Sequence, residues 1–242
     1  MTPVNSDIAL ISDIHGNLQA LEAVVADIRA QGITECICLG DIVGYGGNPS
    51  ECINLVRDFC SHSLLGNHDE YTLSGKGMGE ASGEVREVIQ WTREQLNEEQ
   101  LAWLRALSMR HDGGDFEAVH SSLHFPEEWP YVLLSGDAAL HFTHQVHPVC
   151  FIGHTHQPKM WVEGDDWPLN TTSLESLRSD QKQVINVGSV GQPRDRDERA
   201  CYLIFRRSQQ DVWWRRVAYD IEGAQRAIIS AGLPAKFAAR LG

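Results

Sequence analysis

The first third of the chain alternates short apolar runs with amphipathic segments. Residues 8–11 and 36–39 are apolar runs of the kind found in strands buried on both faces, and residues 63–65 form a shorter third run. Asn17 opens a helical pattern after the first run, and Pro49 opens another after the second. Strand–helix–strand repeats of this kind predict right-handed crossovers and a parallel sheet.

The middle of the chain is predicted to be helical. Apolar residues recur at helical spacing over residues 84–96, and Asn97 with Gln100 forms a candidate capping box for a helix through residue 107. Residues 73–83, rich in Gly and Ser, are predicted to form a mobile loop beside the functional face or a plain surface loop.

The last part of the chain favours strands. A helix is predicted before Pro148 and another after Asp220. Since no linker or internal repeat divides the sequence, we expect residues 1–242 to form one domain in which two sheets share the core. The strands are predicted at residues 116–119, 149–152, 160–162, 184–187, 202–205 and 212–217.

Charge and composition exclude several classes of protein. The chain has 20 basic and 33 acidic residues, a net charge of −13, which disfavours a general nucleic-acid or anionic-membrane binder. No apolar run approaches the roughly 18 residues of a membrane span, and no basic segment precedes the first apolar run. We therefore expect a cytoplasmic protein whose six cysteines are reduced and mostly buried, with Cys36 and Cys38 as a weaker candidate metal site.

Metal-binding side chains follow several of the predicted strands. Because the carboxyl ends of parallel strands share one sheet edge, and residues i and i+2 of an extended segment point the same way, these side chains can converge. The carboxylates of Asp13 and Asp41, one amide oxygen and five imidazoles are too many for one ion and suit two. The motifs are Asp13-Ile14-His15, Gly40-Asp41, Gly66-Asn67-His68-Asp69, His120 and Gly153-His154-Thr155-His156.

Other interpretations of these residues are possible one at a time. Asp13, Asp41 and Asn67 could serve as turn and cap residues, and His120 could be a structural histidine at a strand end. His154 and His156 could be surface histidines, but that interpretation explains poorly why two of them flank a threonine directly after Phe151-Ile152-Gly153.

The ligand types indicate the metal and the chemistry. Carboxylate, amide and imidazole without thiolate suit manganese, iron or zinc better than calcium. Two divalent ions, the carboxylates of Asp13 and Asp41 and a bridging hydroxide would leave a net charge of about +1, which attracts a phosphate ester. Such a pair of ions would activate the hydroxide and clamp the phosphoryl oxygens for in-line displacement.

The five motifs in this order resemble the calcineurin-like metallophosphoesterase superfamily. Residues 11–17, 40–46 and 186–194 resemble, more narrowly, its small bacterial and archaeal phosphodiesterase branch. The resemblance runs from about residue 8 to residue 220 and implies an α/β fold, a four-layer α/β/β/α sandwich with two mixed sheets. One departure is Ser121, which stands where the family usually has a glycine after the fourth-motif histidine.

The resemblance also implies a role for each site residue. His68 would hydrogen-bond the phosphoryl group or protonate the leaving oxygen, and Asp69 would orient His68 or fix its tautomer. Asp41 would bridge the two ions. The first ion would be held by Asp13, His15, Asp41 and His156, and the second by Asp41, Asn67, His120 and His154.

Two residues are candidates for substrate binding. Tyr45 either leans over the substrate or packs on its own loop, and Arg194 either binds the phosphate or forms an ion pair with Asp195 and Asp197.

His141 and His144 are a separate pair, three residues apart on a predicted helix. They could meet a further metal, but we favour a solvated helix face.

The sequence thus predicts a dinuclear phosphodiesterase acting on a small phosphate ester. A phosphomonoesterase or nucleotide phosphatase would use the same ligands. A non-catalytic scaffold on the same fold would have no need of His68. A single-metal hydrolase of non-phosphate esters would leave Asn67, His120 and His154 without a role. The oligomeric state is not predicted.

Overall fold

A computed structural model describes residues 7–75, 78–79, 82–168 and 173–242. The strands are β1 (Ile8–Ile11), β2 (Glu35–Cys38), β3 (His62–Ser63), β4 (Arg110–Asp112), β5 (Phe116–Val119), β6 (Val149–Ile152), β7 (Lys159–Val162), β8 (Leu174–Ser176), β9 (Gln183–Asn186), β10 (Ala200–Arg206) and β11 (Asp211–Val217). The helices are α1 (Leu18–Ala30), α2 (Pro49–Phe59), α3 (Asn67–Ser74), α4 (Gly83–Gln95), α5 (Glu98–Arg105), α6 (Ser135–Phe142), α7 (Ile221–Ser230) and α8 (Ala235–Ala238), with a 3-10 turn at Pro126–Glu128.

The strands form two mixed sheets. The first has the order β3-β2-β1-β10-β11-β8, in which β3, β2 and β1 are parallel and the remaining neighbours antiparallel. The second has the order β4-β5-β6-β9-β7, in which β5, β6 and β9 are parallel. Each sheet therefore has a parallel section, and those sections carry the predicted ligands at their carboxyl ends.

Alternation along the buried strands divides the core into layers. In β1, Ala9 and Ile11 face α1, α2 and α5, whereas Ile8 and Leu10 face the second sheet. In β6, Phe151 faces the first sheet and its neighbours along the strand face α6. The result is the predicted four-layer α/β/β/α sandwich, with one apolar layer between the sheets and one under the helices on each side.

Local signals fix most of the helix starts. The Asn17 side chain accepts a hydrogen bond from the main chain of Ala20 at the start of α1, and the Asp220 side chain caps α7 in the same way. Asn97 and Gln100 form the predicted capping box of α5.

The structure contains elements that the sequence did not predict, among them the short helix α8. Helix α3 was not predicted, and Leu73, assigned to the loop over residues 73–83, lies in its last turn. Residues 76–77 and 80–81 of that segment lie outside the described residues. Strands β4 and β8 were also missed, because each is only three residues long and largely polar.

Within the described part of the chain, no helix combines the length and the apolar character that crossing a membrane requires.

Candidate metal centre

The predicted ligands follow the carboxyl ends of strands from both sheets. Asp13, Asp41 and Asn67 come shortly after β1, β2 and β3 of the first sheet. His120 follows β5 directly, and His154 lies in the loop after β6 of the second sheet. The two parallel sections end on the same side of the molecule, and the candidate centre lies where they meet.

The side chains of this centre are almost completely buried. None of the eight is more than 6% exposed, although all are polar or charged. Buried groups of this kind require partners, because an unpaired buried charge is costly. The eight residues are Asp13, His15, Asp41, Asn67, His68, His120, His154 and His156.

Main-chain hydrogen bonds lock the first two ligand loops together. The amide of Asp13 donates to the carbonyl of Gly40 (3.0 Å), and the amide of His15 donates to that of Asp41 (2.9 Å). On the other side, the Gly191 amide donates to the Asp13 carbonyl (2.9 Å). The loop after β9 thus closes over the loop after β1.

Most of the ligand residues have a left-handed main-chain conformation. Of the ten described residues other than glycine with positive φ, six belong to this centre. Such conformations are uncommon for residues with a Cβ atom, and they persist where the surrounding structure enforces them, often at functional sites. The six are Asp13, His15, Asp41, Tyr45, His154 and His156, with φ between 52° and 67°.

Asp13, His15 and His156 form the first cluster of ligand atoms. The Nε2 atoms of the two histidines are 3.0 Å apart. Asp13 Oδ1 lies 3.4 Å from His156 Nε2 and 3.9 Å from His15 Nε2. Ligand atoms bound about 2.1 Å from one ion at tetrahedral or octahedral angles lie roughly 3.0–3.4 Å apart, so two of the three separations fit a shared ion.

Asp41, His120 and His154 form the second cluster. Asp41 Oδ2 lies 3.4 Å from His120 Nε2 and 3.6 Å from His15 Nε2, so this oxygen faces both clusters. Its other oxygen accepts a hydrogen bond from the main-chain amide of His68 (2.8 Å), which fixes the carboxylate. Asp41 therefore has the position that a bridging ligand requires.

Three of the histidines direct Nε2 toward the centre, where its lone pair can bind a metal ion. In each, Nδ1 faces a main-chain carbonyl oxygen, which can only accept a hydrogen bond, so Nδ1 carries the proton. Hydrogen bonds of this kind orient metal-binding histidines. The bonds run from His15 to Val43 (3.2 Å), from His120 to Leu39 (2.9 Å) and from His156 to Gln192 (2.6 Å).

His154 uses the opposite ring nitrogen. Its Nε2 donates to the carbonyl of Trp129 (3.0 Å), which leaves Nδ1 as the free ring nitrogen. All four imidazoles of the two clusters are thus held by the main chain through one nitrogen, which leaves the other available to bind a metal ion.

These tautomers make the centre a site for cations. The Nε2 lone pairs of His15 and His156 face each other at 3.0 Å, an arrangement that is repulsive unless a positive charge lies between them. Buried Asp41 Oδ2, Asn67 Oδ1 and His120 Nε2 also make no hydrogen bond. The residues present therefore fit metal ions, and the buried, unpaired amide oxygen of Asn67 is a further candidate ligand.

Burial and the charges of neighbouring side chains shift the pKa values of the ligands in this centre. Burial raises the pKa of Asp13 to about 7, although the charge of His120 opposes the shift. Burial would also raise the pKa of Asp41, yet the nearby histidines, His120 foremost, hold it well below its usual range. Burial would lower the pKa of His120, but Asp41 raises it to about 9. Positive charge is therefore favoured beside Asp41, where a metal ion would also be stabilised.

His68 lies beside the ligands on helix α3. Its ring centroid is 4.7 Å from that of His15 and 4.5 Å from that of Tyr45, and its Nδ1 is buried without a hydrogen bond. Burial lowers the pKa of His68, and the charge of Asp41 opposes the shift. His68 also groups with His15 and Asp41 within reach of one ion.

The predicted contact between Asp69 and His68 is wrong. The Asp69 carboxylate instead accepts hydrogen bonds from the main-chain amides of Ile42 (3.0 Å), Val43 (3.2 Å) and Gly66 (3.0 Å). Its oxygens are taken up by the main chain because α3 begins directly against the loop after β2. Asp69 thus caps α3 and fixes the loop that carries Asp41.

Arg194 and Tyr45 lie together at the rim of the first cluster. Arg194 does not form the alternative ion pair, because Asp195 and Asp197 pair with Arg216 and Asp197 also pairs with Arg199. Its guanidinium instead donates to the side chain of Gln192 (3.0 Å). The ring of Tyr45 is half-buried, with its centroid 4.7 Å from that of His15. Both side chains can reach a molecule bound at the centre.

The separate histidine pair does not form a solvated face. His141 is fully buried, and its Nδ1 accepts a hydrogen bond from the Leu123 amide (3.3 Å), whereas His144 is exposed beside His124. Burial lowers the pKa of His141 to about 3. Among the described residues, neither histidine belongs to a group of three potential metal ligands.

Sequence reasoning missed several residues that organise the centre. The Asn186 amide donates to the Thr155 side chain (3.0 Å) and to the Gly153 carbonyl (2.5 Å), and so shapes the loop of His154. The segment over residues 186–194 was noted only as part of the resemblance. Trp129, which binds His154 through its carbonyl, carries no local signal, because its contacts are distant in sequence.

Comparison with known proteins agrees with this geometry. A profile of the calcineurin-like phosphoesterase superfamily domain matches residues 7–210. An uncharacterized protein of Methanocaldococcus jannaschii is 37% identical over 243 residues, with 98% of each chain covered. The crystal structure of a metallophosphoesterase from Sphaerobacter thermophilus has a TM-score of 0.89 and 39% identity, again with 98% of each chain covered.

A more distant relative is the symmetrical bis(5'-nucleosyl)-tetraphosphatase of Aromatoleum aromaticum. It is 30% identical over 117 residues, which cover 47% of this chain and 43% of that enzyme.

Proposed function

Since the chain belongs to the calcineurin-like phosphoesterase superfamily, we propose that it is a dinuclear metal-dependent hydrolase of phosphodiester bonds in a small substrate. One observation carries the proposal. The Nε2 lone pairs of His15 and His156 face each other at 3.0 Å beside the buried carboxylates of Asp13 and Asp41, an arrangement that only a positive charge stabilises.

The residues divide between two ions of manganese, iron or zinc. When bound, such a pair supplies an activated water and clamps the phosphoryl oxygens for in-line displacement. We call the residues that would hold one ion a half-site, and Asp41 belongs to both half-sites. The first is completed by Asp13, His15 and His156, and the second by Asn67, His120 and His154.

His68 acts on the substrate from the side of α3. Held beside His15 and Asp41, its imidazole donates a hydrogen bond to the phosphoryl group or passes a proton to the leaving oxygen. Its lowered pKa favours the neutral imidazole, which still has one N–H to donate. Asp69 supports this role indirectly, by fixing the start of α3.

Arg194 and Tyr45 bind the rest of the phosphate ester. Arg194 places a positive charge beside the first half-site, and a guanidinium fork suits phosphate oxygens. Tyr45 and Tyr131 place aromatic rings at the rim, and Tyr131, 49% exposed, stacks on His154 at 4.1 Å. These rings can contact the second ester substituent, which favours a diester over a monoester.

A second candidate function is hydrolysis of a nucleoside polyphosphate. It is favoured by the partial match to a bis(5'-nucleosyl)-tetraphosphatase, and by the aromatic rim, on which a nucleobase could stack. The metal ligands would be the same, so only the substrate pocket separates the two candidates.

A matrix of metals and substrates tests the proposal. Metal-stripped protein would be reloaded with manganese, iron or zinc and assayed with an aryl phosphodiester, an aryl phosphomonoester, cyclic nucleotides and a dinucleoside tetraphosphate. We expect the highest kcat/KM on a diester with at least one metal. Preference for the tetraphosphate would favour the second candidate, and absence of hydrolysis with every metal would favour a scaffold.

A further inference from the structure

Trp129 has an unusual conformation next to the second half-site. It follows the 3-10 turn at Pro126–Glu128 and has φ of 55° and ψ of 46°, a left-handed conformation that is rare for a bulky residue. Its side chain is only 8% exposed. Such a conformation persists only where the surrounding contacts enforce it, and it indicates a possible functional constraint.

The carbonyl of Trp129 sets the orientation of His154. It accepts a hydrogen bond from His154 Nε2 (3.0 Å), which leaves Nδ1 unprotonated. No other described hydrogen bond holds the His154 ring. The position of the Trp129 main chain therefore decides where this ligand points.

The indole of Trp129 is tied to helix α3. Its Nε1 donates to the Glu70 carboxylate (3.0 Å), and Glu70 lies one helical turn after Asn67. The ring also packs edge to face against His120, with centroids 5.8 Å apart. Trp129 thus touches His154 and His120 directly and is joined through Glu70 to the helix that carries Asn67.

Core packing does not account for these contacts. Trp129 belongs to none of the apolar clusters formed by the described residues, although it is buried. Its neighbours are instead the polar side chains of the second half-site. In the first half-site the main-chain carbonyls of Val43 and Gln192 hold the histidines. The amides of these two residues donate to the side chains of Asp69 (3.2 Å) and Ser189 (2.9 Å), neither of which is joined to Trp129 by a described hydrogen bond.

We propose that Trp129 and Glu70 form a staple that positions the ligands of the second ion and sets its affinity without affecting the first. This inference rests on the proposed dinuclear function. Both residues act through His154, His120 and α3 and touch neither ion, so they are positioning residues. Outer residues that orient metal ligands typically change metal affinity by about 10–100-fold.

Calorimetric titration of the metal-stripped full chain with Mn²⁺ tests the staple. Trp129→Phe keeps an aromatic ring but removes the pyrrole part of the indole with its N–H, and Glu70→Ala removes the acceptor. In both variants we expect one of the two binding steps to lose affinity by about 10–100-fold while the other is unchanged. Glu70→Gln keeps an oxygen that can accept the bond and should bind both ions nearly as the wild type does.

Trp161→Phe is the matched control, because Trp161 is 3% exposed and its indole makes no described hydrogen bond. Equal weakening of both steps in Trp129→Phe, or none, would overturn the staple. So would a Glu70→Gln variant as impaired as Glu70→Ala, since charge rather than the hydrogen bond would then be responsible. Wild-type protein that binds fewer than two Mn²⁺ would contradict the proposed function itself.

Discussion

The two half-sites of the candidate centre are held in different ways. Around Asp13 and His15, main-chain hydrogen bonds join the loops after β1, β2 and β9, and both histidine orientations are set within those loops. Around His154, the orienting carbonyl belongs to Trp129, whose own position depends on a side-chain bond to Glu70. A half-site built from main chain should be sensitive to backbone displacement, and one held by side chains should be sensitive to their truncation.

Asp41→Asn should have the largest effect, because Asp41 belongs to both half-sites. Replacing the bridging carboxylate removes charge between the two clusters, so we expect both ions to be lost and hydrolysis to fall to background. Elemental analysis of the purified variant gives the metal content. Asp27→Asn is the control, since that carboxylate pairs with Arg215 away from the centre. Two ions retained in Asp41→Asn would exclude the bridging role.

His68→Ala should slow hydrolysis without releasing the metal ion of either half-site. The imidazole is proposed to act on the substrate, so both ions should remain while kcat falls by about 10²–10⁴-fold. Steady-state kinetics and metal analysis of the same sample check this. A wild-type rate on a diester would refute the assignment, and loss of one ion would make His68 a ligand.

Gly191→Ala should affect the first half-site selectively. A Cβ atom at Gly191 would lie 1.8 Å from the carbonyl oxygen of Ile14, so the loop after β9 would have to move away from the loop of Asp13. We expect the Mn²⁺ binding step that Trp129→Phe leaves unchanged to weaken by about tenfold or more, and by more than the other step. Gly136→Ala is the control, because a Cβ atom there meets no atom within 4 Å. If Gly191→Ala binds Mn²⁺ in both steps as the wild type does, the main-chain contacts of the loop after β9 do not position the first half-site.

Arg194→Ala should have the smallest effect and should leave both half-sites intact. A charged hydrogen bond to a substrate is worth about 1.5–3 kcal/mol, so KM should rise about 10–100-fold with little change in metal content. Arg196→Ala, on the same exposed loop, is the control and should leave KM unchanged. If KM in Arg194→Ala equals that of the wild type, Arg194 does not bind the substrate.

Strong apolar runs made much of the fold predictable. β1, β5 and β6 have the bounds that their sequences predicted, because β1 and β6 are continuous apolar runs and β5 is apolar except for Glu117. Helix α3 was not predictable in this way, because its residues are mostly polar and its start depends on Asp69 bonding across to the loop after β2. The single-domain organisation and the cytoplasmic location stay predictions.

For the candidate centre, the sequence by itself determined which side chains are available and that they follow strand ends. Asp13 with His15, and His154 with His156, could be paired because the spacing within each motif is local.

Only the tertiary structure decided what these side chains contact. It brings His15 Nε2 to 3.0 Å from His156 Nε2, turns Asp69 toward the main chain, buries His141 and joins Trp129 to Glu70. The physical reason is that each of these contacts joins parts of the chain that only packing of the two sheets brings together. Hydrophobic periodicity predicts the elements, but the partner of a polar group depends on what lies opposite it in the folded core.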